Sequence, residues 1–234
     1  MHRILALLVS CLLFQPHLFA YCSILPRLVR AEFSQSKLVV IAKLVRKQHH
    51  SPPHDQDYHI YSLETIRVLR GYEGREFRIL EENDSGRAPF HWKVGTTYLL
   101  FLDPDKDGMW QLYGCGNSAP LGEARSALRV IASLKEHRGG IIQGLVVTDK
   151  GAYPPSIDLS GIVIHARSEI GEYTAVTNRM GEFNLSVPAG KYALLPVQPG
   201  ARFETDVGSY EDPNSLSIEN GGAAQVQFQR DTQP

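Results

Sequence analysis

Apolar and polar positions change period several times along the chain. Ile24, Leu25, Leu28, Val29 and Phe33 recur at helical spacing, which predicts a short helix over Ile24–Phe33, interrupted by Pro26 near its start. Leu38–Val45 is a nearly unbroken apolar run rich in β-branched residues, the pattern of a buried strand. His49–Asp57 is polar and broken by two prolines, hence a loop. Tyr58–Leu69 then alternates, with Tyr61, Leu63, Thr65, Arg67 and Leu69 against Ser62, Glu64, Ile66 and Val68. A turn at Arg70–Gly74, a short strand at Phe77–Leu80 and a polar loop at Glu81–Pro89 follow. Thr97–Leu102 and Met109–Tyr113 flank Asp103–Gly108 as the arms of a hairpin. Ala124, Ala127, Leu128, Ile131 and Leu134 form a helical stripe within Pro120–His137. Asn117 or Ser118 is placed to cap that helix, and Gly139-Gly140 to stop it.

Beyond Gly139 the pattern is strands alone. Ile141–Thr148, Gly161–Ser168, Tyr173–Thr177, Glu182–Val187, Lys191–Val197, Phe203–Val207 and Gln225–Gln229 are short and punctuated by turn residues. About seven such strands predict an antiparallel sandwich. The densest signal is Val176–Tyr192, where a turn closed by Gly181 and a second turn at Pro188–Gly190 bracket the Phe183, Leu185, Val187 face. Glu211–Gly222 reads as a polar, turn-rich connection, and residues 231–234 as a frayed tail.

Composition narrows the setting. The formal net charge of the 234 residues is −1, which gives no electrostatic footprint for nucleic acid or an anionic membrane. Met1-His2-Arg3 precedes the apolar run Ile4–Phe14, about eleven residues long, a signal-peptide core well short of the roughly 20 that span a bilayer. Export with cleavage near Ala20 is the expectation, placing the mature protein in a secreted or periplasmic setting with no transmembrane span. A lipid anchor at Cys22 is disfavoured, because aromatic Tyr21 stands where a small residue is needed. Cys11 leaves with the signal, so Cys22 and Cys115 remain, most simply as one disulfide. It closes a loop for which the chain-entropy model gives roughly 4–5 kcal/mol, less strain. A metal–thiolate pair is the competing reading, without a third or fourth ligand at suitable spacing.

Two resemblances emerge from these pieces. Cys22, the strand Leu38–Val45, Val68-Leu69-Arg70-Gly71, Val94-Gly95-Thr96-Thr97-Tyr98-Leu99-Leu100-Phe101 and Gly114-Cys115-Gly116 before a terminal helix resemble a netrin-like domain related to tissue inhibitors of metalloproteinases. Over residues 21–138 this implies a five-stranded OB-type barrel with a packed helix, and it too pairs Cys22 with Cys115. Inhibitors of that family chelate the protease zinc through an N-terminal Cys-x-Cys. Here Ser23 and Ile24 follow Cys22, so the second cysteine is missing, and Tyr21 would precede the first. Gly144–Asp149, Gly161-Ile162-Val163-Ile164, Thr177-Asn178-Arg179-Met180-Gly181-Glu182-Phe183 and Pro188-Ala189-Gly190-Lys191-Tyr192 resemble the carboxypeptidase regulatory-like domain. Over residues 139–230 that implies a transthyretin-like sandwich, a module without chemistry of its own. Some relatives carry Lys–Asn isopeptide bonds, but Gln225–Gln229 lacks the Asn or Asp these need.

Candidate chemistry is sparse. Asp103, Asp105 and Asp107 before Gly108 open like a calcium loop, yet Gly114 stands where the closing Glu belongs, and a β-turn uses the same residues. His49, His50, His54 and His59 with Asp55 and Asp57 could gather on zinc or copper, although proline-interrupted spacing does not preset a site. Trp92, Trp110, Tyr98 and Tyr113 could form a sugar-stacking platform or fill the barrel. His165 alternates away from the Ile162, Ile164 face. No Gly-x-Ser-x-Gly, His-Glu-x-x-His or Walker pattern occurs. The expectation is a mainly β, two-domain, exported and non-enzymatic protein with no cofactor. It would act as a binding or structural module of the cell envelope or extracellular space, towards a protein or a glycan. A carbohydrate-binding module is the alternative, and a metalloprotease inhibitor a further one.

Overall fold

A computed structural model describes residues 26–52, 57–71, 74–82, 90–148, 155–206 and 209–231. Helix α1 (Val29–Gln35) leads into β1 (Leu38–His50), β2 (Tyr58–Arg70), β3 (Glu76–Glu82), β4 (Thr97–Pro104) and β5 (Trp110–Leu112). β1 pairs with β2 on one side and with β4 on the other, β2 with β3, and β4 with β5. A parallel bridge between Ile79 and Trp110 joins β3 to β5 and closes a five-stranded barrel, in keeping with the OB-type expectation. Register shifts at Val39/Val40, Ile41/Ala42 and Leu44/Arg46 supply the bulges that bend a sheet into closure.

The apolar runs follow from burial on two faces. Leu38, Val40, Ala42 and Leu44 fill the barrel with Tyr61, Leu63, Ile79, Tyr98 and Leu100. Val39, Leu99 and Phe101 point outward onto Ala124 and Ala127, with Val29, Phe33 and Ile131 packed alongside. Strands covered on both sides lose the polar half of their alternation, which is why β1 and β4 read as solid hydrophobic blocks. The covering helix, α2 (Arg125–Ser133), is shorter than its stripe predicts and has no side-chain cap. Ala119–Pro120 forms β6 against β4, the Ser118 hydroxyl accepts the Phe101 amide, and Asn117 bonds elsewhere. Tertiary hydrogen bonds have displaced the expected cap.

After a 3-10 turn at Leu134–Glu136 come β7 (Gly140–Thr148), β8 (Val163–Ser168), β9 (Gly171–Val176), β10 (Glu182–Val187), β11 (Gly190–Val197), β12 (Phe203–Thr205), β13 (Leu216–Ile218) and β14 (Ala223–Arg230). They form two four-stranded sheets, β10-β7-β14-β12 and β13-β11-β8-β9. Their facing sides share one core, in which Ile142, Val146, Phe183, Val226 and Phe228 meet Ile164, Tyr192, Leu194 and Leu216. All pairs are antiparallel except β7 with β14. β13 lies inside Glu211–Gly222, the connection expected to be polar and turn-rich, where Leu216 and Ile218 alternate with Ser217 and face the core. The Val176–Tyr192 turn forms as read: Asn178 Oδ1 accepts the amides of Met180 and Glu182, and Gly181 takes φ 81°, where other residues are strained.

Candidate binding cleft at the domain seam

The expected metal ligands do not converge. The Asp103 carboxylate accepts the Lys37 amide, while Asp105 Oδ1 accepts the amides of Asp107 and Met109, so the loop is held as a side-chain-capped turn. His49 and His50 belong to β1, paired with His59 and Tyr58, rather than to the loop expected there. His49 stands 3.7 Å from Asp57, and its ring lies 4.8 Å from that of His59. His54, Asp55 and Cys22 lie outside the described residues, among which no cluster of three metal-type ligands occurs. Cys115 is disulfide-bonded.

The aromatic residues divide by role. Tyr98 is buried in the barrel, with Trp92 and Trp110 packed against the same core. Trp92 stacks on Tyr61 at 4.5 Å, whose hydroxyl donates to Glu81 at 2.6 Å; burial, then that bond, raises the Tyr61 pKa. Only Tyr113 of the four is well exposed, so they make no common platform. His165, half-buried on the outer face of β8, is bound to Glu172.

What the sequence did not reveal is the seam. Residues 26–35 cross from the barrel onto the outward face of β14. The buried Gln225 amide holds this strap as a backbone would, accepting the Leu28 N–H at 2.6 Å and donating to Pro26 O at 3.0 Å. The Arg27 guanidinium lies 5.2 and 5.1 Å from the rings of Tyr113 and Tyr210, and Arg27 O accepts Asn117 Nδ2. Arg70 makes a two-pronged bond to Glu219, 2.9 Å at each prong. That pairing raises the arginine and lowers the carboxylate in pKa.

Two carboxyls are enclosed here. Glu32, 1% exposed, accepts the backbone and side-chain amides of Asn117 at 2.7 and 2.6 Å. Burial raises its pKa, against the pull of Asn117 and Arg27. Gly116 permits the approach, since a Cβ there would overlap the Glu32 carboxylate. Glu211 accepts the Gln225 backbone N–H at 2.5 Å, and burial pushes its carboxyl up to about 7 despite that bond and Arg27. Its Oε1, Arg27 Nε and Gln227 Oε1 are buried without a hydrogen-bond partner.

A cleft of about 650 Å³ opens at the same seam. Arg30 comes to it from α1, His137 and Arg138 from the linker, Ser186 from β10, Pro188 from the following turn and Asn220 from the β13–β14 connection. Arg30 Nη2 lies 3.3 Å from His137 Nε2, and His137 Nδ1 lies 2.8 Å from Ser133 O. A guanidinium only donates and a carbonyl only accepts, so the ring faces Ser133 O with Nδ1 and the guanidinium with Nε2. Asn220 Oδ1 accepts the Gly139 amide at 2.8 Å. Among the described residues no carboxylate lines the cleft, so these residues present donors. Among the described residues, neither Cys115 nor any proposed metal ligand borders it.

Among the described residues no helix is long and apolar enough to cross a membrane. No protein-family model matches the chain, and no curated protein matches it in sequence. The solved structure titled "The Bacillus anthracis TIE protein" aligns with 84% of this chain and 35% of its own length, at 11% identity and a TM-score of 0.31. This chain thus spans about a third of that one, and a likeness at that score carries no argument about function.

Proposed function

We propose that the protein is an exported, non-enzymatic binding module of the cell envelope or extracellular space, with the domain seam as its ligand-facing surface. In this reading the barrel is netrin-like and the sandwich carboxypeptidase regulatory-like, and Cys22 pairs with Cys115. The observation that carries it is a preformed concavity between two bodies tied together by Gln225, Arg27 and the Arg70–Glu219 pair. Clefts between domains are common ligand sites, and fixed walls reduce the ordering cost of binding. The enclosed carboxyls Glu32 and Glu211 are turned to amides of the seam, which supports a structural use for them.

The export half of the reading is tested by intact mass and N-terminal sequence of the mature protein. The expected product starts near residue 21 with no free thiol; a free Cys115 thiol in non-reduced material would sink the bridge. The binding half is tested by placing a photo-crosslinking residue at Ser186, on the cleft rim, and at Glu64, on the barrel exterior. Adducts formed in cells from position 186 and not from 64 support the seam. Equal labelling from both positions rejects it.

A further inference from the structure

The cleft's chemistry narrows its ligand. Its guanidiniums are Arg30, held beside His137, and Arg138, which makes no hydrogen bond or ion pair among the described residues. Ser186 adds a hydroxyl, and Asn220 adds an amide NH₂ left over once its oxygen has accepted Gly139. Ile141, Pro188 and Ala189 give the lining a small apolar surface. The backbone beside it is already engaged: Gly139 O accepts Gly221 N–H, Gly222 O accepts Ile141 N–H, and Val187 pairs with Gly140. These particular groups therefore offer an extended peptide nothing to pair with. Recognition falls to side-chain donors grouped around an apolar patch, in a volume within the usual range for small ligands.

We propose that the seam cleft binds an acidic saccharide, with a uronate carboxylate across Arg30 and Arg138 and ring hydroxyls towards Ser186 and Asn220. A guanidinium presents paired N–H donors that match a carboxylate in plane. The Pro188–Ala189 surface takes the apolar face of the sugar ring. This rests on the seam being the ligand-facing surface and specifies what that surface takes.

The test is calorimetric titration of the full mature protein with tetragalacturonate at low ionic strength. Its methyl ester, sodium sulfate and a hexaglutamate peptide are run as separate probes. Tetragalacturonate is expected to bind and its uncharged ester not to. Arg138→Gln should weaken binding about tenfold, the scale of one charge-assisted hydrogen bond. Arg30→Gln should do the same, with melting temperature recorded to separate loss of ligand contact from loss of fold. Arg46→Gln, on the barrel, should leave affinity unchanged. Equal binding of the ester, no binding of the uronate, or binding of sulfate alone overturns the saccharide assignment. So does hexaglutamate binding that is lost on Arg138→Gln, but that result leaves the seam as the binding surface. If Arg30→Gln and Arg138→Gln change binding of no probe, both the saccharide and the seam readings fall.

Discussion

Glu211 sits in a stretch that reads as polar turn, yet its carboxyl is enclosed at the seam and pushed up to about 7. The folded protein therefore keeps a proton that the unfolded chain releases near its ordinary value of 4.5. The resulting stability is full below that value and is lost as pH rises through 7. A shift of this size corresponds to roughly 3 kcal/mol, and Glu32 is shifted in the same direction. Glu219, Glu172, Asp158 and Asp212 are shifted downward, so their contribution is lost only as pH falls below the usual carboxylate range. Urea denaturation of Glu211→Gln at pH 5 and pH 8 should show a flatter pH dependence than the parent, by on the order of 2 kcal/mol. Identical slopes would contradict the enclosure. Gly116→Ala should cost about 1–3 kcal/mol by overpacking against Glu32. In a Glu32→Ala background the penalty should shrink, because the clashing carboxylate is gone; an unchanged penalty in this double-mutant cycle would place the strain elsewhere.

Among the elements, legibility follows how local each cause is. β10 and its Asn178–Gly181 turn were readable because their alternation and turn chemistry reside in adjacent residues. β1 was readable as buried, but its extension to His50 was not: pairing with Tyr58 and His59 carries polar residues into a strand. β13 escaped notice because three residues among turn formers carry too little periodicity. The capping role read for Asn117 and Ser118 failed because Glu32 and Phe101, both remote in sequence, take their polar atoms. β14 shows the same limit: Val226 and Phe228 mark one face, while Gln225 on the other looks solvent-directed and is 1% exposed. Gln225→Ala would leave the Leu28 N–H and Pro26 O without their partner, at a cost of about 1–3 kcal/mol. Faster hydrogen exchange at Leu28 should accompany it; protection unchanged there would mean the strap is held by other contacts.

For the whole molecule the seam decides whether barrel and sandwich behave as two domains or one. Gln225, the Tyr113–Arg27–Tyr210 stack and Arg70–Glu219 all cross it. Calorimetry should record a single cooperative transition, and combining Arg27→Ala with Gln225→Ala should split it into two. Two transitions in the unaltered protein would refute the coupling. The candidate cleft was illegible for the same reason that the seam exists: Arg30, Arg138, Ser186 and Asn220 come from four distant segments, and no spacing rule connects them. The parallel pairing of β14 with β7 carries a consequence for assembly. A chain emerging from its N-terminus can close the barrel early, but the sandwich sheet stays open until Ala223–Arg230 is delivered beside Gly140–Thr148. Gln225 arrives on that last strand, so Pro26 and Leu28 are clasped only then. Fastening of the strap at the front of the described chain thereby reports that its far end has been made.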